Sequence, residues 1–204
     1  MYKAAISLFI GAAAILSFFN FGSDKKSGQN GSNPNSEALP KEWKKFVPTT
    51  GKFTVYLPSM PKYAIDIVNV PNTDIKRWYE MYVSEEINGT VYLINLITYH
   101  PDFDISDVKD LLNNVVNEIV SSNLNNHMVE KKESTFKERP SLYFHITNQS
   151  IVVKGVAFLV GKTVYLLTYT ATKENFEEKE FDQFTHSFEL SKPPKEEGVD
   201  AHGV

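Results

Sequence analysis

Cysteine is absent from this chain of 204 residues. Its absence excludes disulfide scaffolds, cysteine-ligated zinc, iron–sulfur clusters, thiol nucleophiles and an anchor built on a lipidated cysteine. Glycine is sparse and scattered, 10 residues in all. Neither G-x-G-x-x-G nor a P-loop occurs, so the glycine-rich cradles for phosphate are missing. An excess of basic residues is missing too. Lys and Arg number 21 against 25 Asp and Glu, a formal net charge of −4. Sequence-independent nucleic-acid binding needs many cations at phosphates, so no nucleic-acid partner is expected. There is no G-x-S-x-G elbow, no H-E-x-x-H pair and no calcium-loop spacing. The residue pattern therefore specifies no catalytic group, no metal and no cofactor.

What is present is apolar and aromatic: 42% of residues are hydrophobic and 13% aromatic, with 14 Phe and 10 Tyr. A wholly disordered chain is far poorer in both. The length suits one domain with accessory segments.

After Lys3, residues 4–21 carry no charge. A run of about 18 residues lies at the lower edge of a membrane span. The small-x-small pattern Ala12-x-Ala14 comes early, and cleavage there would leave Ile15, Leu16, Phe18 and Phe19 on the mature chain. Residues 1–22 thus read as a signal peptide or, preferably, as an uncleaved hydrophobic helix anchoring the chain in a membrane. Lys3 precedes the run and Lys25 and Lys26 follow it, so its orientation is left open. Residues 23–38, rich in Gly, Ser and Asn, read as a flexible linker. Residues 39–190 form the expected domain, and residues 191–204 an expected disordered tail. The expected location is the membrane or the cell envelope, on the periplasmic side if the source is bacterial.

Within the domain, Phe53 to Leu57 alternates and stops at Pro58, as a short strand does. Extended stretches follow at 63–68, 74–83 and 91–99, the last two joined at Asn88-Gly89, a hairpin signal. Val108, Leu111, Leu112, Val115, Val116, Ile119 and Val120 then repeat at helical spacing, with Asp104 or Ser106 available to cap. Strands resume at 128–136, 142–147, 151–160 and 163–172, with a tight turn at Gly161-Lys162. A second helix is expected over 175–187. The order is four strands, helix, four strands, helix, an α+β pattern rather than a doubly wound parallel sheet.

Three stretches resemble a known group. They are Gly51-x-Phe53-x-Val55-x-Leu57-Pro58-x-x-Pro61, the hairpin Phe158-Leu159-Val160-Gly161-Lys162-Thr163-Val164-Tyr165-x-Leu167, and the closing Phe184-x-x-Ser187-Phe188. Together they look like the PsbP-like superfamily, which includes the extrinsic PsbP subunit of photosystem II and bacterial exported proteins. The resemblance implies an α/β/α sandwich, a central twisted antiparallel sheet flanked by helices. It implies binding to partner proteins or assistance in assembly, and carries over no catalytic residues.

Candidate site residues are few. Trp78, Tyr79, Tyr82, Tyr92 and Tyr99 supply aromatic surface with polar tips, a composition enriched at interfaces. Trp78, Tyr82, Tyr92 and Tyr99 are the candidate binding residues. His100 and Asp102 pair an imidazole with a carboxylate at a strand end, which could serve as a general base or a weak metal ligand. His145 reads as a satisfied histidine on a sheet surface. Glu174, Glu177, Glu178, Glu180 and Asp182 read as a solvated helix face. The expected function is a non-catalytic binding or assembly-assisting domain, tethered to a membrane through residues 4–21 and facing an unknown protein partner. The alternatives are a carrier of an apolar small molecule and a hydrolase using His100 and Asp102.

Overall fold

The computed structural model describes residues 42–69 and 75–191. The apolar run 4–21, the linker 23–38 and the tail from residue 192 lie outside the described residues. The strands are β1 (Lys44–Phe46), β2 (Phe53–Leu57), β3 (Lys62–Asn69), β4 (Lys76–Glu85), β5 (Val91–Tyr99), β6 (Asn126–Phe136), β7 (Arg139–Asn148), β8 (Ile151–Val160), β9 (Thr163–Thr172) and β10 (Glu189–Leu190). The helices are α1 (Val108–Ser121), between β5 and β6, and α2 (Glu178–Ser187), between β9 and β10.

Seven strands form one antiparallel sheet in the order β3-β4-β5-β9-β8-β7-β6. Sequence turns set its registers. Gly161 at φ 57° lets a two-residue loop join Val160 to Thr163. Gly89 at φ 84° closes the β4–β5 loop, where the Glu86 N–H donates to the Thr90 carbonyl at 2.9 Å. Between β6 and β7 the turn residues Lys137 and Glu138 both adopt positive φ, 49° and 62°, without glycine or asparagine.

One face of this sheet carries α1. Its stripe of Leu111, Leu112, Val115 and Val116 packs with Leu142, Phe144, Ile146, Ala157, Val164 and Leu166. Asp107, rather than Asp104 or Ser106, caps it, accepting the Asp110 N–H at 2.8 Å. Asp104 instead accepts the Ser106 N–H at 2.9 Å, closing the turn before the helix.

The expected α/β/α sandwich is overturned on the other face. The protein is mostly β, with two short helices and a second sheet of three antiparallel strands, β1-β2-β10. Phe53, Val55 and Leu57 of β2 are at most 1% exposed, while the intervening Tyr56 points outward. A small sheet and α2 share this face, so helices do not flank the large sheet as two layers. The reason is local. A strand reads the same in sequence whichever sheet it joins, and the partners of β2 are only three and two residues long. Beneath this cover lies an aromatic core. Phe53 stacks on Phe188 at 5.2 Å, and Phe158 on Tyr165 at 5.4 Å. Burying a phenylalanine side chain contributes roughly 1.5–3 kcal/mol, so this cluster is the main adhesive between the sheets.

Candidate binding surfaces

Side chains on a strand alternate between faces, and the registers decide which aromatics meet. Trp78, Tyr82 and Tyr92 project to the face covered by the small sheet; Arg77, Tyr79 and Tyr99 project to the α1 face. The candidate residues therefore do not form one strip. Tyr82, Tyr92 and Tyr99 are 4%, 0% and 3% exposed, and Trp78 is half-buried. Three of the four lie in the interior.

Each buried tyrosine has a structural partner. The Tyr92 hydroxyl donates to Glu180 Oε2 at 2.9 Å and Tyr169 donates to the same oxygen at 3.1 Å. The Glu177 N–H donates to the Tyr169 hydroxyl, which ties the start of α2 to the sheet. Glu180, read from sequence as part of a solvated face, is buried, because hydroxyl donors from the adjacent strands β5 and β9 receive it. Burial first, then the Glu180 carboxylate and that of Glu86, 3.0 Å from the same hydroxyl, push the Tyr92 phenol far above its ordinary range. On the other face the Arg77 guanidinium lies 5.9 Å from the Tyr79 ring centre and 5.8 Å from that of Tyr99. It reaches Glu118 of α1 at 3.2 Å. Arg77 thus clamps β4 to α1, and Tyr99 is part of that clamp.

His100 and Asp102 do meet, with Nδ1 3.4 Å from Oδ2. The Asp102 N–H also donates to His100 Nδ1 at 3.3 Å, and the Phe103 N–H to the His100 carbonyl at 2.9 Å. The imidazole lies nearly parallel to the Trp78 ring at 6.4 Å. Both side chains face solvent, at 39% and 84% exposure. The geometry is that of a turn closing the strand, with no third side chain hydrogen-bonded to His100 among the described residues.

A groove of about 240 Å³ opens on the other margin of the sheet, lined by Glu130, Lys132, Tyr143, His145, Lys154 and Phe181 among others. Its lining mixes the charged side chains of Glu130, Lys132 and Lys154 with the rings of Tyr143, Phe144 and Phe181. His145 stacks on Phe176 at 6.2 Å, and its Nε2 is buried with no hydrogen-bond partner among the described residues. It is therefore not the satisfied surface histidine that the sequence suggests.

The surface missed in the sequence is β3. Its side chains Tyr63, Ile65 and Ile67 share the face of the small sheet, but the cover stops short of them; they are 55%, 59% and 53% exposed. Tyr63 touches Tyr82 at 5.1 Å, and Ile67 is paired with Trp78. A row of three large apolar residues beside a half-exposed tryptophan is more than scattered surface hydrophobicity. The ladder phase also leaves the backbone of these residues outward. The Tyr99 N–H donates to the Lys162 carbonyl, so odd residues of β5 bond to β9. Even residues of β5 then bond to β4, as the Glu86–Thr90 bond requires, and odd residues of β4 to even residues of β3. The amides of Tyr63, Ile65 and Ile67 face the open edge. The Ile67 N–H is taken by Asp66 Oδ1 at 2.8 Å. The sequence signal was available, since period-two apolar residues after Pro61 mark a strand; the edge position was not.

This architecture is the PsbP-like fold. No family model matches the sequence, and no curated protein is similar to it. Among solved structures, cyanobacterial PsbP (CyanoP) from Synechocystis sp. PCC 6803 superposes with a TM-score of 0.50 at 7% identity, over 78% of this chain and 98% of that one. A protein of unknown function, PA94 from Pseudomonas aeruginosa, superposes with a TM-score of 0.42 at 11% identity, over 74% of this chain and 98% of that one. At 7% identity the likeness to CyanoP concerns the fold alone.

Proposed function

We propose that this chain is a non-catalytic binding or assembly-assisting domain, held at a membrane of the cell envelope by residues 4–21, and that it meets its partner along β3. The observation that carries the reading is the uncovered row Tyr63, Ile65 and Ile67 beside Trp78, each of the three more than half exposed on an outer strand. Apolar side chains kept in water beside an open ladder are suited to an extended or flat protein partner. The PsbP-like fold supports a binding role by analogy alone. Among the described residues no helix is long and apolar enough to cross a membrane, so the anchor rests on the sequence of residues 4–21.

The test is a photoreactive residue placed in the full chain at Tyr63 or Ile67, and at Val129 on β6 as a comparison, since Val129 is equally exposed at 57%. Irradiation in cells should give adducts from the β3 positions, in the membrane fraction. Equal labelling from all three positions, or none from β3, would remove the reading. Recovery of the chain in a salt-washed soluble fraction would remove the anchor.

A further inference from the structure

We infer that the open edge of β3 pairs with the β3 edge of a second copy of this chain, antiparallel, about a two-fold axis between the two Ala64 residues. The inference rests on β3 being the binding strand and names one occupant for it.

The two edges of the large sheet differ in how readily they can pair. Strand β6, at the other side of the sheet, carries Glu130, Lys131, Lys132 and Glu133 in succession and a register shift between Met128 and Glu130. Charges and bulges of this kind discourage edge pairing. Strand β3 has regular pairing with β4 over all eight residues, and no strand on its outer side among the described residues. Its outward amides are those of Tyr63, Ile65 and Ile67. Continuing the same phase, Pro61 is the next outward position, and it has no N–H.

These donors fix one register. When Ala64 lies opposite Ala64 of the second copy, Tyr63 faces Ile65 in hydrogen-bonded pairs on both sides of the axis. The next outward pair is Pro61 with Ile67. Pro61 has no donor to offer, and the Ile67 N–H is already held by Asp66. The two missing donors fall in the same pair, so no other bond of the ladder is wasted. The same register sets Lys62 opposite Asp66 twice, opposite charges on one face. Lys62 is free to turn, being 80% exposed in its present contact with Glu85. A shift by one pair, with Ile65 opposite Ile65, would set Ala64 against Asp66 and require the occupied Ile67 N–H. A shift the other way would place Pro61 opposite Ile65 and lose a central bond. Symmetric antiparallel pairing of this kind closes on itself as a dimer. It also sets the two rows Tyr63, Ile65 and Ile67 side by side on one face, a doubled apolar surface.

The absence of cysteine makes the test direct. Ala64→Cys introduces a single thiol into the full chain. In the inferred register the two Ala64 positions form a non-hydrogen-bonded pair with Cα atoms about 4.5 Å apart, within the range that a disulfide spans. Mild oxidation in membranes should convert A64C to a disulfide dimer several-fold more fully than Leu124→Cys, a fully exposed comparison on the loop after α1. Adding Lys62→Glu should suppress the dimer by setting like charges opposite, and Lys62→Glu with Asp66→Lys should restore it. Oxidation of A64C no greater than that of L124C overturns the inference, and so does a dimer that Lys62→Glu leaves unchanged. Half-buried Ala64 tolerates sulfur, and an unchanged urea midpoint for reduced A64C verifies the fold. The photo-adducts separate the two readings. Adducts of twice the chain mass belong to the second copy. Adducts of other mass with a monomeric A64C would retain a binding role for β3 while ending self-pairing.

Discussion

Strand β6 ends one side of the large sheet with four charged residues in a row, Glu130 to Glu133, and a bulge. Strand β3 ends the other with Tyr63, Ile65 and Ile67 at every second place, all more than half exposed. Among the described residues neither strand has a further strand on its outer side, and exposed edges of this sort are where chains join. At β6 the side chains oppose joining. Lys109 of α1 reaches Glu133 at 2.7 Å, and Glu130 and Lys132 line the groove beside α2. At β3 the opposition sits toward the two ends of the strand, where Pro61 offers no N–H, Lys62 carries a charge and Asp66 occupies the Ile67 N–H, and the middle, Tyr63 to Ile65, is left open. The contrast places the binding surface. Protection concentrated at one edge leaves the other as the place where an apolar partner strand can be accepted.

The largest effect that sharpens this contrast lies on the protected side. Gly155 of β8 sits under the ring of Phe144 of β7, and a Cβ there would collide with the Phe144 ring and lie 2.9 Å from the Leu167 carbonyl. Gly155→Ala should therefore destabilise by about 1–3 kcal/mol through overpacking, read as a lowered urea midpoint at unchanged slope. No cost would mean that the β6–β8 side is loosely packed, and the contrast with β3 would lose its basis.

A smaller effect belongs to His145 in the groove beside α2. Burial, then the nearby Lys154 ammonium, hold its pKa below the ordinary 6.5, against the opposing pull of Glu178 and Glu130. The unfolded chain thus binds this proton more readily than the folded one. The associated stability is complete above the ordinary imidazole value and is lost as pH falls through the folded value. His145→Gln should lower the drop in urea midpoint between neutral pH and about pH 5, by removing the group that must charge in a desolvated place. An unchanged drop would show that other groups carry the acid sensitivity.

How much of this was legible beforehand depended on whether the controlling contact was local. Helix α1 was legible because Leu111, Leu112, Val115 and Val116 repeat at helical spacing and all four are buried. The turn at Gly161 was legible because a positive φ is cheap there. The turn at Lys137 and Glu138 takes the same left-handed region with neither glycine nor asparagine, so its residues gave no signal. Part of the aromatic strip could have been resolved by parity alone. Trp78 and Tyr82 are an even number apart on one strand and share a face; Tyr79 does not join them. That Tyr82, Tyr92 and Tyr99 would be buried was out of reach, since their cover comes from β2, α2 and the Arg77–Glu118 pair, far away in sequence. The layer error has the same origin. Strands β1 and β10 are too short for periodicity, so β2 was counted into the wrong sheet. The position of β3 at an edge is likewise a property of the finished sheet.

The smallest expected effect is the most discriminating. Ile65→Thr keeps the β-branched shape that a strand favours and removes only apolar area. Ile65 is 59% exposed, whereas Ile94 on β5 is 0% exposed. If the β3 row contributes nothing to the fold of a single chain, Ile65→Thr should change stability by about 0.5 kcal/mol or less, as surface changes do. Ile94→Thr, by contrast, leaves a hydroxyl in a packed interior, and burying such a group without a partner costs about 1–3 kcal/mol on mutational scales. The comparison should be made on dilute protein, where copies are apart, and repeated at high concentration. A cost at Ile65 that rises with concentration would locate the value of this side chain in association. A large cost already present in dilute protein would make the row part of the fold, and the contrast between the two edges would then say nothing about binding.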